Sequence, residues 1–306
     1  MLKLDCVSAF VCVAEAGSIT AAAQRLGLAK SVVSERLAEL EQTLGAQLVQ
    51  RTTRRSTLTE NGRIFLARAR RLLSDAEDAV AELAQQGSEL IGPLRLSAPV
   101  SFGALRLAEP LFAFMRQHPR IELSLELDDH FVDPAADGFD AVVRHGPVLD
   151  RRLIAHRLAS SMRHLVASPD YLAEAGPVAC LEDLSVHRAI LYSRRGADWR
   201  FEGPDGATVI RPRTALRLNN GLMMRSAALA GLGIALLPSF MVHEDLTAGR
   251  LVVIDAGAAP QGAELFVAHP LDRATSSKIK ALVTHLRAAF GNPSFWEHTT
   301  RQQPRG

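Results

Sequence analysis

AKSVVSERLAELEQTLG, Ala29 to Gly45, divides its residues between two sides of a helix. Val33, Leu37, Leu40 and Leu44 follow spacings of four, three and four residues, which form one stripe at 3.6 residues per turn and must face a core. Lys30, Ser31, Ser34, Glu35 and Glu39 fall off that stripe, and Gly45 stands where a left-handed residue closes a helix. Taken alone, such a polar side is a solvated surface. The neighbouring sequence argues for more.

LDCVSAFVCVAEAG, Leu4 to Gly17, predicts a supporting helix with Leu4, Val7, Phe10, Val11 and Ala14 as its apolar stripe. Ser18 or Thr20 can cap a second helix, TAAAQRL, which Gly27 ends. Only Leu28 and Ala29 separate it from the opening stretch, so the region of about 18–38 has the outline of a helix-turn-helix. QLVQRT and RSTLT are β-prone runs around Thr53, Arg54 and Arg55, as in a hairpin wing with a basic tip. From Gln24 to Arg71 ten basic residues face four acidic ones, although the whole chain carries only +2. A basic segment over a helix-turn-helix outline is the footprint of a phosphate-binding module, because neutralised phosphates release counterions.

Thr59 can cap a long helix reaching about Gln86. Leu66, Ala69, Leu73, Ala76, Val80 and Leu83 alternate spacings of three and four, the pattern of a two-helix seam. At about 27 residues and ~40 Å this helix is long for covering its own domain alone, and we read it as a dimerisation helix. A two-fold dimer sets two reading helices in successive major grooves about 34 Å apart and calls for roughly palindromic operators.

The 306 residues suggest two domains of ordinary folded composition, 47% hydrophobic and 22% charged. Cys6, Cys12 and Cys180 match no metal spacing and read as small core residues in a reducing cytoplasm. No apolar run approaches the 18 or so residues of a membrane helix, and the amino terminus does not read as a signal peptide. The expectation is a cytoplasmic protein, neither exported nor inserted.

AFVCVAEAGSITAAAQRLGLAKSVVSERLAELEQTLGAQLVQRTTRRSTLTENG, Ala9 to Gly62, resembles the amino-terminal domain of LysR-type transcriptional regulators. The marks are Phe10, Val13, Gly17-Ser18, Ala22-Ala23, Leu26, Val33-Ser34, Leu37, Leu40-Glu41, Leu44-Gly45, Leu48, Arg51, Leu58-Thr59 and Gly62. The resemblance implies DNA contacts at the second helix, the start of the third and the wing, here Thr20, Lys30, Ser31, Ser34, Glu35, Arg51 and Arg54. Ala29 replaces the usual capping Ser or Thr, Lys30 a common Gln, and Val49 a common Phe, so base preference is not inherited.

Beyond Gly92 and Pro93, LRLSAP, a helix over about 104–117, IELSLEL, a short helix near 131–136 and DAVVR give a β-α-β-α-β order. RHLVASPDYLAEAG opens a second unit with AILYS, TVIRPRTALRLNN, the helix LMMRSAALAG, IALLP, LVVID and AELFVAHP, and SSKIKALVTHLRAAF closes the chain's folded part. LRLSAPVSFG, GFDAVVRHG, ASPDYL, WRFEGPDG and NNGLMMRSAALAGLGIALLP look most like the CrgA-like branch of the same family, whose effector domain is α/β, two-lobed and similar to periplasmic binding proteins. The divisions implied are a winged helix-turn-helix over 1–59, a linker helix over 60–88 and an effector domain over 92–295. Lobe I takes about 92–163 and 269–295, lobe II about 164–268, and 296–306 reads as an irregular tail.

Ligands of open α/β sheets sit beyond the carboxyl ends of strands. That rule singles out Val100, Ser101 and Phe102, then Arg144 and His145, then Asn219, Asn220 and Gly221 as effector-binding candidates. Arg144 suits an anionic group and its apolar neighbours a small organic body. No catalytic, metal-binding or cofactor motif stands out: the ten histidines form no HExxH pair, and GLGIAL follows a helix, unlike a dinucleotide loop. His243, Glu244 and Asp245 are adjacent and turn to different faces. A periplasmic-type solute-binding module would leave the basic amino-terminal module without purpose, and a constitutive architectural DNA-binding protein would need no cleft. The resemblance implies double-stranded operator DNA, a small organic effector and RNA polymerase as partners, in a homodimer or homotetramer.

Overall fold

Gly17, Gly27 and Gly45 adopt φ of 66°, 65° and 64°, and these left-handed residues close α1 (Leu4–Ala16), α2 (Ile19–Leu26) and α3 (Lys30–Leu44). The structure is a computed structural model that describes residues 1–51, 56–83, 89–130, 132–193, 198–203 and 206–297. Ser18, not Thr20, caps α2, its hydroxyl accepting from the Ala21 N–H at 3.1 Å. Val7, Phe10, Val13, Ala22, Val33 and Leu37 have no exposed surface and lock the three helices together. Each large side chain buried this way contributes about 1.5–3 kcal/mol.

The wing pairs β1 (Val49–Arg51) with β2 (Ser56–Leu58) in antiparallel register, Val49 opposite Leu58. Glu41 fastens it to α3: one carboxylate oxygen accepts the N–H groups of Leu48 at 2.8 Å and Val49 at 3.0 Å. Gly62 is required by close approach, since a Cβ there would stand 2.0 Å from the Leu48 carbonyl oxygen. The wing tip, with Arg54, lies outside the described residues.

Thr59 caps α4 (Glu60–Leu83), accepting from the Gly62 N–H at 2.9 Å. Its apolar stripe corrects the expected seam. Ala69 has no exposed surface, and Leu66 and Leu73 pack with it on the helix-turn-helix core. The first half of the stripe therefore covers its own domain. Ile64, Leu72 and Val80 are left outward, 58%, 40% and 68% exposed.

Two five-stranded sheets follow. The first runs β4 (Ile121–Leu127), β3 (Gly92–Ala98), β5 (Ala141–His145), β15 (Ala263–Pro270), β6 (Leu153–Ser161); β15 is antiparallel to both its neighbours. The second runs β11 (Arg213–Leu218), β8 (Arg188–Tyr192), β12 (Ile234–Pro238), β7 (Arg163–Ala167), β13 (Val252–Val253). A small antiparallel sheet of β10 (Gly206–Ile210), β9 (Trp199–Gly203) and β14 (Ala259–Pro260) lies beside it. Helices α5 (Val100–Phe102), α6 (Ala108–Gln117) and α10 (Ser277–Phe290) accompany the first sheet; α7 (Pro169–Ala175), α8 (Gly221–Leu229) and α9 (Ser239–Thr247) accompany the second.

Several local expectations change. The outward crossing falls at Met162, between β6 and β7, but the return falls before Ala263, because β15 pairs wholly within the first sheet. The expected helix near 131–136 is a run of turns at 134–138, with Phe131 outside the described residues. Asp133 explains the turns, its carboxylate accepting the N–H groups of Ala135 and Ala136 at 3.1 and 3.2 Å. The start of the presumed tail is core: Trp296 is 1% exposed and its indole N–H donates to the Ser160 carbonyl at 3.1 Å.

Candidate functional site

The reading surface follows from how α3 is buried. Val33, Leu37 and Leu40 sit at or below 1% exposure, which turns the opposite side of the helix outward. Lys30, Ser31 and Glu35 are exposed there, Ser34 is half-buried, and Thr20 is exposed on α2. None of these five side chains forms a hydrogen bond or ion pair with another described residue. The Ala29 N-cap supplies no side-chain acceptor to the first N–H groups of α3. Arg51 lies on β1.

The basic surplus of the segment is smaller in space than in sequence. Arg25 and Arg70 both pair with Glu15, Arg36 with Asp5, Arg63 with Glu60 and Arg71 with Asp272. Arg36 therefore points to α1 and does not hold Glu35. Among the described residues, Lys30 and Arg68 form no ion pair with a carboxylate.

The second candidate is a cleft of about 330 Å³ between the two sheets, at the carboxyl ends of β3, β4, β5 and β8. Ser101, Phe102, Arg144, His145 and Gly221 line it. Val100, Asn219 and Asn220 do not. The Val100 N–H donates to Asp129, and Asn220 caps α8, its side-chain oxygen accepting from the Met223 N–H at 3.1 Å. Gly221 allows the lobes to meet, because a Cβ there would lie 2.7 Å from the Met241 Cε and 3.0 Å from the Ser101 hydroxyl.

Arg144 reaches from β5 to the Ser97 hydroxyl at 2.9 Å and its neighbour's carbonyl at 2.7 Å. Burial pulls its pKa below the usual arginine value, and the Asp128 and Asp129 carboxylates push it back up. The His145 ring stacks on Phe240 at 5.2 Å, while Phe102 meets both rings edge-on. The site thus pairs a partly desolvated guanidinium with an aromatic wall.

Sequence reasoning missed Asp128, Asp129, Ser161, Arg163, Phe240 and Met241, all of which line the cleft. The two aspartates directly follow IELSLEL, so the strand-end rule could have found them. Ser161 and Arg163 flank a crossing whose first strand gives no clear alternation, and Phe240 lies in the first turn of a helix that follows Pro238 without a side-chain cap. His243, Glu244 and Asp245 do diverge: Glu244 pairs with Arg106, while fully buried Asp245 pairs with Arg225 and Arg250. Cys6 and Cys12 are buried as expected of core residues, whereas Cys180 is only half-buried. Among the described residues no helix is long and apolar enough to cross a membrane.

Comparison with known proteins covers almost the whole chain. Residues 4–63 match the model of bacterial regulatory helix-turn-helix proteins of the lysR family, and residues 87–291 match the LysR substrate binding domain. The transcriptional regulator PtxR of Pseudomonas aeruginosa is 36% identical over 297 residues, 96% of this chain and 95% of the relative. DmlR of Escherichia coli, also a transcriptional regulator, is 33% identical over 95% of this chain and 96% of its own. The solved structure of CrgA, a LysR-type transcriptional regulator from Neisseria meningitidis, superposes with TM-score 0.61 at 27% identity, covering 95% of this chain and 100% of that one.

Proposed function

The chain belongs to the LysR family of bacterial transcriptional regulators, with a helix-turn-helix DNA-binding domain and a substrate-binding domain, and on that premise we propose how its own residues perform the two tasks. Lys30, Ser31, Ser34 and Glu35 enter a major groove, with Thr20, Arg51 and Arg54 on the flanking phosphates. The observation that carries this assignment is the outward side of α3. Its polar side chains have no partner within the described chain, while the opposite side is sealed in the core. Glu35 cannot serve a phosphate, so its place on that side fits acceptance from a cytosine amino group.

The interlobe cleft holds a small organic effector, which Arg144 orients and Phe102, His145 and Phe240 enclose. Ser101 and Gly221 complete its wall, and Val100 and Asn220 act by shaping the two helix starts. The outward residues of α4 join two copies, and such dimers assemble further on operator DNA in the cytoplasm. Effector binding favours one lobe arrangement and thereby repositions the reading heads against DNA and RNA polymerase. The shift is bounded by the effector's difference in affinity between the two arrangements. The relatives are transcriptional regulators, and catalysis forms no part of this reading.

Fluorescence anisotropy on operator DNA selected by the protein itself tests the reader assignment. Lys30→Ala should weaken binding and reduce the salt slope by about one. An unchanged slope with unchanged affinity removes Lys30 from the interface.

A further inference from the structure

A second cavity, of about 320 Å³, lies where the reader meets the first lobe of the effector domain. Its walls come from α1, α2 and α4 on one side and from β3, the turns at 134–138 and Arg273 on the other. It shares no lining residue with the interlobe cleft. Among the described residues, five guanidiniums line it against three carboxylates, those of Glu15, Glu122 and Asp140. Arg71 pairs with Asp272, and Arg273 with Asp75 and Asp140. Arg25 and Arg70 share Glu15, at 2.9 and 3.1 Å. Arg95 forms no ion pair with a described residue; its guanidinium donates to the Gly138 and Asp137 carbonyls at 2.9 and 3.4 Å. Glu122 is exposed, where solvent screens its charge. Arg25, Arg70 and Arg95 thus face the single carboxylate of Glu15. Burial lowers the Arg95 pKa and the Arg70 charge lowers it further, against the opposing pull of Glu15, Asp140 and Glu126.

Ser74 adds an independent observation. One turn beyond Arg70 on α4, it lines the same cavity, and its hydroxyl is buried with no hydrogen-bond partner. A helical hydroxyl has a ready acceptor in the carbonyl four residues back, and those of Thr43, Thr247 and Thr284 donate there at 2.8–2.9 Å. Ser74 makes no such bond, which leaves its hydroxyl for a group in the cavity. The opposite wall is apolar: the ring of Phe139 lies under the Arg95 guanidinium, 5.0 Å from its centroid, with Pro93 and Pro134 beside it in the lining. The volume falls at the small end of organic-ligand sites, which span ~300–1,000 Å³, and exceeds the needs of a bare ion.

We infer that this cavity is a second ligand site, separate from the effector cleft, which takes a small organic phosphate with its head between Arg70, Arg95 and Ser74 and its body on Phe139. A dianionic head offsets the surplus of guanidinium charge, and the planar guanidinium matches phosphate oxygens in pairs. Arg70 and Ser74 stand on the helix that packs on the reader, and Arg95 on the lobe. An occupant therefore ties the two together and favours this arrangement over any in which they part.

Isothermal titration of the full chain at fixed salt with phenyl phosphate, benzoate and inorganic phosphate tests head and body separately. Phenyl phosphate should bind about tenfold more tightly than either other probe. Arg95→Gln should weaken it about tenfold and Ser74→Ala about threefold, with circular dichroism confirming each fold. Ser74→Ala removes one oxygen from a helix and carries the test alone if Arg95→Gln unfolds. Benzoate or inorganic phosphate binding as tightly as phenyl phosphate, or no binding by any probe, overturns the inference. Phenyl phosphate binding that Ser74→Ala leaves unchanged places the anion elsewhere on the protein and overturns it as well.

Discussion

Glu297 accepts the backbone N–H of Met162 at 2.9 Å, and the same carboxylate oxygen accepts the Ser239 hydroxyl at 2.6 Å. Met162 is the crossing residue between the sheets, and Ser239 opens α9 on the second lobe. The Ser239 N–H returns to the Met162 carbonyl at 2.8 Å. The carboxyl-terminal segment therefore fastens the hinge from outside the sheets, and Trp296 packs beside it against Phe102, Phe290 and Phe295.

Removing that fastening should be costly. Glu297→Ala loses two charge-assisted bonds at an 8% exposed position and should destabilise by about 2–3 kcal/mol. Trp296→Ala should cost about 3–5 kcal/mol through the cavity it leaves. Urea unfolding followed by circular dichroism measures both; stabilities within 0.5 kcal/mol of the unaltered protein would show that the segment is dispensable.

Acid should destabilise the first lobe. His156 and His269 face each other across β6 and β15 with their Nε2 atoms 3.0 Å apart. Burial lowers both pKa values, and for His156 the neighbouring His269 lowers it further. On β7 of the second lobe, buried His164 is lowered by desolvation as well, so acid acts there too. For each, the unfolded chain binds more protons between the depressed folded pKa and about 6.5, so stability rises with pH in that window and is lost on acidification. Thermal unfolding at a series of pH values should show a falling midpoint below about pH 6.5, a fall that His156→Gln lessens. A midpoint independent of pH there contradicts the assignment.

The oligomer contact should separate two apolar residues of α4, Leu73 and Val80. Leu73 packs on the helix-turn-helix core, so Leu73→Asp should unfold the reader. Val80 is 68% exposed, so Val80→Asp should leave circular dichroism intact and dissociate the dimer in sedimentation. An unaltered assembly in Val80→Asp would place the contact elsewhere.

The pattern of residues that can be read from sequence has a physical basis. The helix-turn-helix is legible because its glycines, Ser18 and the Val33–Leu37–Leu40 stripe all act within one or two helical turns. The seam of α4 misleads because a spacing of three and four identifies an apolar side without saying what covers it. Ala69 is fully buried in the core of its own helix-turn-helix domain. The ten-to-four charge ratio misleads similarly, since Glu15 and Asp5, which neutralise three of those arginines, precede the counted segment. In the cleft, Arg144 and Phe102 follow recognisable strands. Ser161 and Arg163 depend on a crossing made by long-range pairing of β6 with β15, and Trp296 on contacts with residues far away in sequence. Neither leaves a local period to detect.

Sequence-selective reading by α3 is tested most directly by selecting bound duplexes from a random library with the unaltered protein and with Glu35→Ala. The account predicts a two-fold symmetric motif for the unaltered protein, its half-sites separated by whole turns of about 10 base pairs, and loss of selectivity at one cytosine-containing position in the variant. No enriched motif, or the same motif with undiminished preference at every position in Glu35→Ala, would contradict it.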